Sequence, residues 1–374
     1  MSRPSSQSRQ PSPLSARRLR NGSDVAELLG TDSSAIYAGR TAVITGAASG
    51  IGLAAAKKFA QHGLQVCLAD IDLDRLLQAE AEVAEIIGKE NTLAVPTDVS
   101  RLDQVEHLRD EVFKKFGQAN VLMNNAAISK GRDGTIGASY ENLGTWKDVL
   151  DVNLGGVSLH IPNLKDEIPH LSLSIQVINV IHTFTAPMIA QENPSLLGSD
   201  NPEAGLLTLG RNKASPILRK FEFYAPMPEY IEMNLDDDGI IRGNPAYNVV
   251  SKAAVKILSE HLAHDLRTRG ARTTVHLFVP GWTWTGMTGA SVVAEKPDGA
   301  WTAEETVNYM VRLGDFYIVC PDNETSPELD RLRILWAAQD VAEGRPPLSR
   351  WHPEWHPRFA EFVRDRLSQN QWED

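Results

Sequence analysis

Residues 41–72, TAVITGAASGIGLAAAKKFAQHGLQVCLADID, leave few folds open. Ala42 to Thr45 is a short β-branched, apolar run of the kind buried on both faces of a parallel sheet. Three glycines follow, Gly46, Gly50 and Gly52, and then an Ala-rich stretch that predicts a helix from about Ile51 to His62, stopped by Gly63. Leu64 to Ala69 reads as a second apolar strand. Glycines between a buried strand and a helix permit a tight turn, let backbone approach a pyrophosphate, and let the helix pack closely on the strand. The helix start then offers unpaired N–H groups and the positive end of its dipole to phosphates. The backbone from Gly46 to Gly52, including Ser49 and Ile51, is therefore a candidate dinucleotide cradle.

Asp70 closes the second strand, 18 residues beyond Gly52. A carboxylate there accepts hydrogen bonds from the adenosine ribose hydroxyls and repels an added phosphate, and no Arg immediately follows to offset it. NAD is the preferred cofactor. NADP is the alternative, since Asp also ends strands for turn reasons alone.

Composition narrows the partners. Of 374 residues, 42% are hydrophobic and 23% charged, as in ordinary soluble globular chains. A net charge of −11 argues against nonspecific binding to nucleic acid or anionic membranes. No apolar run approaches the ~18 residues of a membrane span. Cys67 and Cys320 lie far apart in apolar stretches, which suggests buried free thiols in a reducing compartment, hence the cytoplasm. Residues 1–36 are rich in Ser, Pro and Arg, with no acid before Asp24. That stretch reads as a disordered tail, with a mitochondrial transit peptide as the alternative.

Glycines spaced four and then two apart, in TGAASGIG, resemble the short-chain dehydrogenase/reductase family. Further stretches support the resemblance in the same order: TDVS, with Asp98 and Val99; VLMNNAAIS, with Asn125 and Ala126; DVNLGG, with Asn153; and VPGWTWTG, with Pro280, Gly281 and Thr285. The likeness runs from about 38 to 157 and from 243 to 374. It implies a doubly wound, Rossmann-like parallel sheet flanked by helices on both faces. It also implies adenine contacts at Asp98 and Val99, a water-holding Asn153, and a segment from Pro280 to Thr285 covering the nicotinamide carboxamide. By the same resemblance Tyr247 is the general acid/base and Lys252 its electrostatic and ribose-binding partner, both also touching cofactor. A homo-oligomer acting on a small carbonyl or alcohol is implied too. His352 and His356 stand four apart, but Pro353 and Pro357 argue against a regular metal-binding helix and no other ligand cluster is near, so no metal is expected.

The middle departs from that pattern three times. Residues 158–177 interrupt what should be one helix, and Pro162 and Pro169 forbid a continuous helix through them. Without them, DVNLGGV would join INVIHTFTAPMIAQ in one amphipathic pattern. Residues 198–242 form a second expected insertion. The family's substrate-holding Ser has no clear counterpart there: Asn234 lies thirteen residues before Tyr247 without strand character, and Ser199 follows a short apolar run. Ser199 is the catalytic candidate, a surface turn its alternative. Third, Tyr247 and Lys252 stand five apart instead of four. On an α-helix that separates them by about 140°, unless a π-bulge at Val249 and Val250 restores the register. Three irregularities between regular flanks point to one cause in the gene, such as a misplaced splice boundary.

The expected organisation is a tail over 1–36 and one domain over 37–374, with those two insertions and a C-terminal extension from about 286. Within the extension, TAEETVNYMV carries a capping box, DFYIVC a short last strand, and SPELDRLRILWAAQDVAEG an amphipathic helix ending at Gly344. Trp282 and Trp284 read equally as packing or as a substrate border; Trp336, Trp351 and Trp355 read as packing. The activity expected is interconversion of an alcohol and a ketone by hydride transfer. A dinucleotide-binding protein without catalysis is the competing expectation.

Overall fold

The computed structural model describes residues 36, 38–128, 143–153, 155–156, 174–190, 205–209, 246–269, 271, 273–290, 295–311, 315–321, 323 and 325–369. The apolar run at 41–45 is strand β1 (Thr41–Thr45), buried along its whole length. The Ala-rich stretch is α1 (Gly50–Gln61), and β2 (Gln65–Asp70) pairs parallel to β1 in the register Thr41 to Gln65. Chain order continues with α2 (Leu73–Ile87), β3 (Thr92–Pro96), α3 (Leu102–Phe116) and β4 (Val121–Asn124). Next come α4 (Leu143–Asn153), a two-residue antiparallel pair β5 (Gly155–Gly156) and β6 (Ser174–Ile175), and α5 (Gln176–Ala190). The later elements are β7 (Gly205–Leu209), α6 (Ala246–Thr268), β8 (Thr274–Val279), α7 (Ala303–Met310), β9 (Tyr317–Val319), α8 (Pro327–Ala342) and α9 (His356–Gln369).

Seven strands form one parallel sheet in the order β3-β2-β1-β4-β7-β8-β9. Alternate β1 side chains divide between two cores. Ala42 and Ile44 face α1, α2 and α7 through Phe59, Leu76 and Val307, while Val43 faces α3 and α5 through Leu108 and Phe184. Helices thus cover both faces, as expected of the doubly wound class. The chain leaves β1 first toward β2 and β3, then crosses to β4, so a crevice opens beyond the carboxyl ends of β1 and β4.

The interrupted middle resolves differently in its two parts. The first expected insertion, 158–177, lies mostly outside the described residues. Its end, Ser174–Ile175, pairs back onto Gly155–Gly156, and α5 begins immediately after. Within the second, 198–242, Gly205–Leu209 is no peripheral loop: β7 is bonded to β4 on one side and β8 on the other. Its neighbours in the sheet supply both hydrogen-bond ladders, which five residues of sequence between loop-like flanks do not announce. Ser199 precedes this strand instead of ending it, a correction to its expected position; Ser199 itself, Asn234, Pro162 and Pro169 lie outside the described residues.

Further along, Thr302 and Glu305 form the expected capping box at α7. Trp336 on α8 packs against Phe359 on α9 at 5.4 Å between ring centres, with the Arg345 guanidinium 4.2 Å above its ring. No helix among the described residues is long and apolar enough to cross a membrane. Cys67 and Cys320 are both fully buried, and burial pushes the Cys67 thiol well above the usual range. Neither thiol should react with an aromatic disulfide reagent in the native protein, and both should do so in denaturant. Rapid native labelling would mean that the sheet opens far more readily than this packing permits.

Candidate dinucleotide-binding site

The turn between β1 and α1 works only with its glycines. Gly46 has φ +64, and a β-carbon there would stand 2.7 Å from Ala126 Cα. At Gly52 a β-carbon would overlap the Gly46 carbonyl oxygen and lie 2.5 Å from Asn125 Nδ2. Helix α1 therefore begins pressed against the end of β4, closer than any side chain allows. Ser49, the N-cap of α1, makes no side-chain capping bond, and the first turn carries no acidic residue. The N–H groups of that turn are left for an anion, with the helix dipole behind them.

Asn125, the residue after β4, holds this arrangement from the strand next to β1. Its Nδ2 donates to the carbonyls of Thr45 and Gly46 at 2.9 and 2.8 Å. Thr45 Oγ1 accepts from the backbone N–H groups of Asn125 and Ala126 at 3.1 and 3.2 Å. The Asn125 amide nitrogen is thus committed to the turn, and what the resemblance implies as a cofactor contact is also the clamp that shapes the cradle.

A cavity of about 590 Å³ opens over this turn. Gly46, Ser49 and Gly50 line it together with Asp70, Asp98 and Val99, and with Asn125, Ala126 and Thr285. Nine of the candidates chosen from sequence therefore surround one space. Ile51 and Gly52 lie buried in α1, and Pro280 and Gly281 are buried behind Thr285 without lining the cavity. Asp70 is fixed at the rim, Oδ2 accepting from Ala48 N at 3.0 Å and Oδ1 from Asp72 N at 3.2 Å. Asp98 Oδ1 accepts from both the N–H and the hydroxyl of Ser100, at 3.0 and 2.6 Å.

Sequence reading missed Arg75, Val152 and Met287, which also line the cavity. Arg75 stands five residues beyond Asp70, not immediately after it, in the first turn of α2 with its Nε 3.4 Å from Asp72 Oδ2. Val152 carried a signal, as the immediate neighbour of Asn153. Trp282 and Trp284 do not line the cavity; their backbones bond to Trp301 at 2.8 and 2.7 Å.

Behind the cavity, Asn153 ends α4 and is buried, its Oδ1 accepting from Ile128 N at 2.9 Å and its Nδ2 donating to Ser251 Oγ at 3.3 Å. Lys252 is also buried, on α6. Helix α6 is α-helical throughout 246–268, so the π-bulge that would restore register is not there. One turn after Tyr247 along the helix stands Ser251, and one turn before Lys252 stands Asn248. The Tyr247 side chain lies outside the described residues. Two other tyrosines offer no substitute base: burial, first of all, raises the phenols of both Tyr309 and Tyr317, the latter to about 12 with help from its bond to Glu260.

Comparison with known proteins follows the same division. A family model described as short chain dehydrogenase matches residues 40–168. A short chain dehydrogenase/reductase of Macrophomina phaseolina is 38% identical over 119 residues, 32% of this chain and 66% of that protein. The 3beta-hydroxysteroid dehydrogenase 2 of Eggerthella lenta is 35% identical over 122 residues, 33% of this chain and 45% of that one. The matched stretch thus spans from under half to just under two thirds of these relatives' own length. Among solved structures, a short chain dehydrogenase/reductase from Burkholderia phymatum in complex with NAD matches with a TM-score of 0.58 and 24% identity, over 83% of this chain and 97% of that one. An L-sorbose reductase from Gluconobacter frateurii, complexed with NADPH and L-sorbose, matches with a TM-score of 0.51 at 20% identity, over 78% and 98%. At such identities these structures bear on the fold alone.

Proposed function

Because this chain belongs to the short-chain dehydrogenase/reductase family, we propose that it is an NAD(P)-dependent oxidoreductase interconverting a small alcohol and its ketone. The observation that carries this reading is the cradle itself: a turn that only glycine can make, an uncapped helix start and a fixed carboxylate around one cavity. A dinucleotide fits each part. Pyrophosphate would meet the first-turn N–H groups of α1, and the adenosine ribose hydroxyls would meet Asp70. NAD is the preferred form on the strength of that carboxylate, with Arg75 at the same rim the group that would favour NADP.

When bound, the cofactor supplies hydride chemistry; the chain supplies orientation and proton traffic. Tyr247 is assigned the proton exchange with the substrate oxygen, and Lys252 the cationic support of the phenolate and the ribose. Asn153, held by Ile128 N and Ser251 Oγ, stations the polar group behind them. Because five residues of regular α-helix put Tyr247 and Lys252 about 140° apart, the phenol would receive less help than the family pattern provides, and turnover at neutral pH should be slow. A homo-oligomer, a cytoplasmic location and a single domain over 37–374 belong to the same proposal.

The test is a fluorescence titration with NADH and NADPH, followed by turnover of a panel of ketones by the protein and its Tyr247→Phe variant. The reading expects tighter binding of NADH, measurable turnover, and loss of that turnover by ~100-fold or more in the variant with binding unchanged. Equal activity in the variant would remove Tyr247 from the mechanism. Binding without turnover of any carbonyl would leave a dinucleotide-binding protein.

A further inference from the structure

The wall of the cavity formed by Thr285, Gly286 and Met287 has an anchor of its own. After β8 the chain makes a five-residue π turn, Gly286–Ala290, whose closing bond runs from Ala290 N to the Thr285 carbonyl at 3.0 Å. Thr288 N donates to that same carbonyl at 2.9 Å. The Thr288 hydroxyl then works in both directions. It accepts from Thr285 N–H at 2.8 Å and donates to the Thr283 carbonyl at 2.6 Å.

This staple is not an isolated surface turn. Thr283 Oγ1 lies 2.9 Å from Thr306 Oγ1, and Thr306 is fully buried and donates to the Thr302 carbonyl at the start of α7. Thr283 also bridges to Trp301, and Trp284 N donates to the Trp301 carbonyl at 2.7 Å. Helix α7 shares its core with α1 through Val307 and Met310. A continuous line of hydroxyls and packing therefore connects the cavity wall to the helix that starts at the glycine cradle. Single extra-wide helical turns of this kind recur at functional sites because they aim one short stretch of backbone.

We infer that the Thr288 hydroxyl is the positioning group that sets the Thr285–Met287 wall against the end of the dinucleotide remote from adenine. The sheet order supplies the direction. Asp70 ends β2 and Asp98 follows β3 on one side of β1, whereas Thr285 follows β8 on the other side. The inference rests on reading the cavity as a dinucleotide site. Valine at 288 has nearly the shape of threonine but neither donates nor accepts, so Thr285 N–H and the Thr283 carbonyl would each lose a partner. The turn would relax, and only the part of a ligand that reaches the wall would sense it.

Two probes separate the ends of the cavity: NADH, which spans it, and ADP-ribose, which lacks the nicotinamide. Both are titrated against the wild-type protein, Thr288→Val and Thr288→Ser by intrinsic fluorescence quenching, beside thermal melts. The expected result is an NADH affinity about tenfold weaker in Thr288→Val, the size of one or two lost hydrogen bonds. ADP-ribose affinity should be unchanged, and Thr288→Ser, which keeps the hydroxyl, should bind NADH as the wild type does. If Thr288→Val does not fold, Thr288→Ala is read in the same titrations. Wild-type NADH affinity in the hydroxyl-free variant would overturn the inference, as would equal weakening of both probes. A wild-type protein that bound neither probe would instead overturn the cofactor reading, and this inference with it.

Discussion

Deleting Val250 should raise turnover about a hundredfold at neutral pH. Helix α6 is regular through this stretch, so five residues separate Tyr247 and Lys252 by about 140° around its axis. Removing one residue reduces the separation to about 40° and places the ammonium one turn from the phenol. A phenol without a neighbouring cation titrates near pH 10 and is a poor base at neutrality; a close cation favours its ionised form. General acid–base help of this kind contributes about 10²–10⁴-fold. Val250 is the residue to remove because it is 45% exposed, so its own loss costs little packing. The check is kcat for the full chain and the shortened one between pH 6 and 10. The full chain should gain rate steeply toward alkaline pH in the alcohol-oxidising direction, and the shortened chain should reach its plateau at lower pH. Tyr247→Phe in the shortened background should erase the gain. Identical profiles for both chains would sink the assignment of Tyr247 and Lys252 as a working pair.

Gly52→Val should abolish cofactor binding, with NADH affinity falling by a hundredfold or more. The added side chain meets the Gly46 carbonyl and Asn125 Nδ2 within distances no side chain occupies, and neither neighbour is a flexible tip. Gly46 is held by the Asn125 amide, and Asn125 by Thr45, so relief requires α1 to move off the strand ends. Overpacking of this sort costs about 1–3 kcal/mol of stability, while the N–H groups that would face pyrophosphate move with the helix. The measurement is again NADH and ADP-ribose quenching, and both probes should fail together here. Wild-type affinity for either would mean that phosphate is not bound at this turn.

Most of the cofactor half was legible residue by residue. The burial of 41–45, the helix from Gly50 and the strand ending at Asp70 follow from apolar patterning and glycine placement over neighbouring positions. The capping box at Thr302 and Glu305 was readable for the same reason. The middle was not. GLLTL stands between loop-like flanks that announce no strand, and its place between β4 and β8 makes it one. Arg75 and Met287 escaped because nothing in their local sequence says that α2 and the turn after β8 face the same cavity as Gly46.

The sequence by itself determined the strand–turn–helix–strand unit and its anion-binding character, because steric freedom at glycine, helix-end N–H groups and apolar alternation act within a few residues of one another. The tertiary structure alone decided the clamp of Asn125 on Gly46, the place of β7, the regular course of α6 and the Thr288 staple beneath Thr285. The clamp and the strand join partners tens of residues apart, and a hydrogen bond forms only where folding has already brought donor and acceptor together. The helix and the staple are local in sequence, yet whether a helix absorbs an extra residue, or a turn closes on its own hydroxyl, depends on what packs against it.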